Sequence, residues 1–168
     1  MSKQRRTTAV IAAGLVVGLV GGAALGVVWW RLAPRVPVVV DPGRFQPGGF
    51  QPEGYLAADI AFGALALLAG IAVTVGLARM RREHLVSVLV AALLAAAVGT
   101  AAMWFVGTKL GSVDIEGLSA TTEAQVIVDG PLTVTMPAMF LIWPITAAVV
   151  VTILSLTDWM SGNRADTD

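Results

Sequence analysis

Few residues in this sequence could do chemistry. Asp59 is the one ionisable side chain well inside a long apolar run, in the stretch G-Y-L-A-A-D-I-A-F-G. Carboxylates in such runs are costly and often mark proton or ion paths. Its position favours a structural role instead. It follows Tyr55 by one turn, near the outer boundary of its run and in the first turn of the helix, where the macrodipole favours a negative charge. Arg31, Arg35 and Lys109 emerge at the same boundary, so Asp59 with Arg31 or Arg35 is the candidate ion pair. His84 is the sole histidine and sits in R-R-E-H at an interface, without the partners a metal site needs. Ser112, Ser119, Thr121 and Thr122 cluster in one loop with no histidine to act as base. Glu116 and Glu123 read as solvated loop acids. Cysteine is absent, which removes disulfides and thiol catalysis. No glycine loop precedes a water-exposed helix, and no basic, aromatic-lined surface is present. The reading is non-enzymatic, with no metal, no cofactor and no nucleic-acid partner.

The elements that position these residues are dictated by composition. Hydrophobic residues make up 57% of the 168 and charged residues 13%, against about 25% charged in an ordinary globular chain. A soluble domain of this size could not bury so much apolar surface, so the solvent for most of the chain is lipid. Formal net charge is zero, which leaves no field for a polyanion.

Four apolar runs, about 7–30, 56–77, 85–106 and 138–157, each reach the ~20 residues needed to cross a ~30 Å hydrocarbon core. The first begins with a basic Lys3-Gln4-Arg5-Arg6, but its apolar stretch is far longer than the roughly 7–15 residues of a signal-peptide core, so it is kept as a span. The predicted fold is an all-α membrane protein: a single four-helix transmembrane bundle over 1–168. Two extracytoplasmic loops, 31–55 and 107–137, and a tight turn at 78–84 connect the spans. Arg79, Arg81 and Arg82 in that turn join Lys3, Arg5, Arg6 and Arg164 on one side, and the acids Asp41, Glu53, Asp114, Glu116, Glu123 and Asp129 lie on the other. By the positive-inside bias both termini are cytoplasmic, in the cell inner membrane.

Within the spans, Gly14, Gly18, Gly22 and Gly26 recur every four residues. Overlapping small-xxx-small (GxxxG) units of this kind leave one helix face nearly bare, so another backbone can approach it. The simplest match is the small face Ala91, Ala95, Gly99 of the third span; a second copy or a membrane-protein partner is the other candidate. Trp143-Pro144 predicts a kink in the fourth span, because proline lacks the N–H and crowds the carbonyl of Phe140. Trp29, Trp30, Tyr55 and Trp104 fall at one level and read as an interfacial aromatic belt. Pro34 and Pro37 stop the first helix.

The outer loops carry two further signals. Residues 45–54 are a near-exact tandem pentapeptide, F-Q-P-G-G then F-Q-P-E-G, expected to form a turn-rich strap. In the second loop, two short β-branched runs flank Asp129-Gly130-Pro131, the pattern of a short β-hairpin.

Three stretches in this order, L-G-V-V-W-W-R-L-A-P-R-V-P, G-Y-L-A-A-D-I-A-F-G-A-L-A-L-L-A-G and D-G-P-L-T-V-T-M-P-A-M-F-L-I-W-P-I-T-A, resemble an uncharacterised actinobacterial family of small four-span membrane proteins, a domain of unknown function. The resemblance covers about residues 14–150. It implies an inner-membrane location and carries no activity, cofactor or catalytic residue. An excess of arginine, nine against two lysines, is compatible with such a source. The expected function is that of an accessory or assembly component of a cell-envelope complex, in contact with the bilayer and acting through helix packing and the outer loops. A small transporter or channel subunit, built on Asp59 and the Pro144 kink, is the alternative.

Overall fold

The computed structural model describes residues 3–40, 52–80, 85–121 and 123–165. In chain order it contains α1 (Lys3–Leu32), β1 (Pro37–Val40), α2 (Pro52–Met80), α3 (Leu85–Leu110), α4 (Ile115–Thr121), β2 (Val126–Asp129), a 3-10 turn (Pro137–Leu141) and α5 (Ile142–Ala165). Four helical stretches, Thr8–Leu32, Gly54–Met80, Leu85–Thr121 and Pro137–Met160, are long and apolar enough to cross a membrane, with mean hydropathy of 2.3 to 2.4. The protein is a four-helix transmembrane bundle with a small sheet at one end, called here the cap end. The opposite end carries the short connection from α2 to α3.

Element boundaries follow local chemistry. α1 ends where Ala33 N–H still bonds the Trp29 carbonyl, just before Pro34. α2 begins earlier than the apolar run suggests, at Pro52, because proline at a first helical position gives up an N–H that has no intrahelical partner. The last three residues of the tandem pentapeptide are thus helix; its first seven, 45–51, lie outside the described residues, as do Arg81, Arg82 and His84. α4 is a short helix inside the second loop that the apolar pattern does not predict. It is capped by Asp114, whose Oδ1 accepts the Gly117 N–H at 3.0 Å.

α1 packs along α3, and α5 lies against both α2 and α3. Small residues let the helices approach closely. At the centre Ala66, Ala69 and Ala96 surround Trp143. Large apolar residues face outward, among them Val20 at 63% exposure and Val86 at 77%. A cluster of Val10, Leu77, Val88, Ala92 and Val151 closes the end near the α2–α3 connection. At the cap end Trp29, Ala58, Phe62, Met103 and Leu132 form the corresponding layer.

The sheet is two antiparallel strands drawn from different loops, with Pro37 opposite Asp129 and Val40 opposite Val126. The first β-branched run of the second loop does form a strand, but its partner is β1 rather than the run after Pro131. Gly130 N–H bonds the Val36 carbonyl at 2.8 Å, and Leu132 N–H bonds the Gly111 carbonyl at 3.0 Å. Those two bonds carry the chain past the turn and back over the top of α3.

Candidate functional site at the cap end

The glycine face of α1 is occupied within the chain. A side chain added at Gly14 would place its Cβ 2.9 Å from the Ala91 carbonyl oxygen, and one at Gly26 would stand 2.6 Å from that of Met103. Gly18 and Gly22 face the backbones of Ala95 and Gly99 in the same way. Each four-residue step on α1 meets a four-residue step on α3 in the same direction, so the two helices run parallel with their backbones nearly in contact. This is the α1–α3 match expected from the spacing, and it leaves the groove no free length for a second chain.

Trp29 departs from its expected place in a lipid-facing belt. It is fully buried at 0% exposure, with its ring over Gly107, where no Cβ would fit. It meets Phe62 edge-on at 5.0 Å between centroids. Its indole N–H donates to the Ala58 carbonyl at 2.9 Å, and so ties α1 to α2. The physical reason is helical phase: Trp29 follows Gly22 by seven residues and continues the glycine face. Trp30 and Tyr55 are half-buried, and Trp104 is exposed, lying edge-on to Phe140 at 6.1 Å.

Asp59 also departs from expectation, in both place and partners. With α2 starting at Pro52 it is two turns into its helix, not in the first turn. It is at 0% exposure. Its Oδ1 accepts the Thr135 N–H at 3.0 Å, and its Oδ2 accepts the Thr135 hydroxyl at 2.7 Å and the Met136 N–H at 2.9 Å. The expected pairing with Arg31 or Arg35 does not form; among the described residues the carboxylate is given wholly to the segment that leads into the fourth span. Met136 is the N-cap of the 3-10 turn and has no side-chain cap of its own. Asp59 serves that function from another helix, placing negative charge where free N–H groups begin a span.

Pro144, where a kink is expected, follows a change of helix type. Residues Pro137–Leu141 are 3-10, and regular α-helix starts at Ile142. Phe140, whose carbonyl proline would crowd, therefore lies in the tighter turn, and Pro144 falls in the first turn of α5. Trp143 is buried against Gly99, and among the described residues its indole N–H has no acceptor, like the hydroxyls of Thr74 and Thr100. The centre of the bundle is thus filled by a large aromatic ring.

The loop hydroxyls are engaged with nearby backbone. Ser112 donates to the Lys109 carbonyl, Ser119 to that of Glu116 and Thr121 to that of Gly117. Among the described residues no group of three or more His, Cys, Asp or Glu side chains is placed to hold a metal ion.

Among the described residues, cavities open at both ends of the bundle. At the cap end, Trp30, Arg31, Ala33, Arg35 and Asp129 line one of about 450 Å³. Here Arg31 lies over the Trp30 ring, 4.9 Å from its centroid. At the other end, Val75, Ala78, Arg79, Leu85, Leu154, Thr157 and Asp158 line one of about 270 Å³. Compared with family models, with curated proteins and with solved structures, the chain gives no match in any of the three.

Proposed function

We propose that the protein is a non-enzymatic accessory or assembly component of a cell-envelope complex in the inner membrane, with both termini cytoplasmic and the cap outside. The observation that carries this reading is the contrast between the bundle and the cap. The bundle interior is closed by its own contacts, the glycine face on α3 and Trp143 on Gly99. The cap instead turns a cross-strand apolar pair, Val39 and Ile127, toward its surroundings, with Ile127 at 70% exposure. An apolar pair on a sheet beyond the ends of the spans is suited to contact with another envelope protein. Transport would draw on Asp59, but its oxygens serve Thr135 and Met136, which favours the accessory reading. The family resemblance belongs to the same proposal and adds location rather than activity.

The test is affinity purification from native membranes in mild detergent, with mass spectrometry of co-purifying proteins. A reproducible envelope partner, lost from an Ile127→Asp variant that still folds, is the expected result. Recovery of the protein alone would overturn the reading.

A further inference from the structure

The cavity of Trp30, Arg31, Ala33, Arg35 and Asp129 plays no part in closing the bundle or in the proposed partner contact. It is a shallow, open depression, and two arginines and one aspartate are among the residues that line it. Among the described residues neither arginine is in an ion pair. Guanidinium groups present forked donors that match phosphate oxygens. Stacking on Trp30 holds Arg31 in place, and among the described residues the indole N–H of Trp30 also lacks an acceptor. Asp129 sets a condition on the ligand: a bare anion meets repulsion there, whereas a ligand with a phosphate at one end and a hydrogen-bond donor at the other satisfies every charged group.

The surroundings narrow the choice further. Arg31 sits in the last turn of a membrane-crossing helix, and the residues below it on α1, Val27 and Val28, are exposed apolar surface. A molecule held by its phosphate at Arg31 and Arg35 would lay any hydrocarbon chain along that surface. We propose that this cavity binds the headgroup of a glycerophospholipid from the leaflet at the cap end. Its phosphodiester lies on Arg31 and Arg35, and its terminal ammonium or hydroxyl donates to Asp129. The site gives Arg31 and Arg35 a local reason to stand at the cap end, whichever way the protein faces.

Native mass spectrometry of the full-length protein in mild detergent tests this, with phosphatidylethanolamine, phosphatidylcholine or inorganic phosphate added in turn. Both lipids carry the phosphodiester, but the quaternary ammonium of phosphatidylcholine has no N–H to donate. Wild-type protein is expected to retain phosphatidylethanolamine better. The double variant Arg31→Gln, Arg35→Gln should lose roughly tenfold or more of that retention, since the loss of even one of its two charge-assisted contacts is worth about tenfold. Asp129→Asn should narrow the difference between the two lipids, and Arg79→Gln at the other end should change nothing. If the double variant does not fold, Arg35→Lys, which keeps the charge and loses the fork, should still weaken retention several-fold. Unchanged retention in a folded arginine variant would overturn the site. Equal retention of the two lipids by wild type would also overturn it, as would displacement of lipid by millimolar inorganic phosphate, which would mark a free-anion site instead.

Discussion

Asp59 accepts two hydrogen bonds from Thr135, one from the backbone N–H and one from the hydroxyl, across 76 residues of chain. The preceding residue on α2, Ala58, accepts the indole N–H of Trp29. One turn of α2 therefore holds both the end of the first span and the entry to the fourth.

Removing the carboxylate should be far more damaging than removing an arginine. Asp59→Ala leaves three donors without their acceptor and is expected to cost about 3–5 kcal/mol, with Asp59→Asn costing about 1–3 because one oxygen remains. Arg31→Gln should change stability by less than about 0.5 kcal/mol, as for an exposed cation without a carboxylate partner among the described residues. Thermal unfolding in detergent measures all three. Equal losses for Asp59→Asn and Arg31→Gln would restore the ion-pair reading.

Adjacent glycines on α1 should respond in opposite ways to alanine. Gly21 has no atom within 4 Å of an added Cβ, whereas Gly22 faces the Gly99 backbone. Gly21→Ala should be neutral or stabilising by up to about 1 kcal/mol, from helix propensity alone. Gly22→Ala must push α1 and α3 apart and should cost about 1–3 kcal/mol. The comparison is read from the two unfolding temperatures against wild type.

The hydroxyls of Thr74 and Thr100 are buried without partners among the described residues. Replacing either by valine keeps the shape and removes a polar group that nothing satisfies. Each substitution is expected to stabilise the protein by about 1 kcal/mol. A loss of similar size would mean that the hydroxyl is engaged in the working protein, which chemical denaturation would reveal.

Orientation can be tested directly because the chain has no cysteine. Single cysteines at Ile127 in the cap and at Met80 at the other end both fall on exposed positions. A membrane-impermeant maleimide applied to intact cells should label Ile127→Cys and spare Met80→Cys until the membrane is opened. The reverse pattern would turn the molecule over.

The four spans were legible in the sequence because ~20 consecutive apolar residues have few alternatives in a chain this poor in charge. The α1–α3 contact was legible as well, since both faces carry small residues at the same spacing. Trp29 could have been placed from its phase against Gly22 and Gly26; its aromatic character drew it instead to the membrane surface. The partners of Asp59 were harder to see. Two of its three donors are backbone N–H groups, which every residue but proline carries, so no pattern announces them. The β1–β2 pairing was hidden for a related reason: Pro37-Val38-Val39-Val40 has no alternation, and its partner lies in a different loop. For α4 the signal was present in Asp114 three residues ahead of Gly117, but the helix is too short to show a period.

The parallel fit of α1 on α3 has a consequence for how the protein is made. Synthesis delivers α1 and α2 before α3, so the residues that cover the glycine groove, Ala91 to Met103, are made after it. Its closure needs Gly107 beneath Trp29, so the first span can reach its final seat only after the third is fully inserted. A ribosome stalled before that point would leave a two-helix hairpin whose bare face is available to whatever insertion machinery stands beside it.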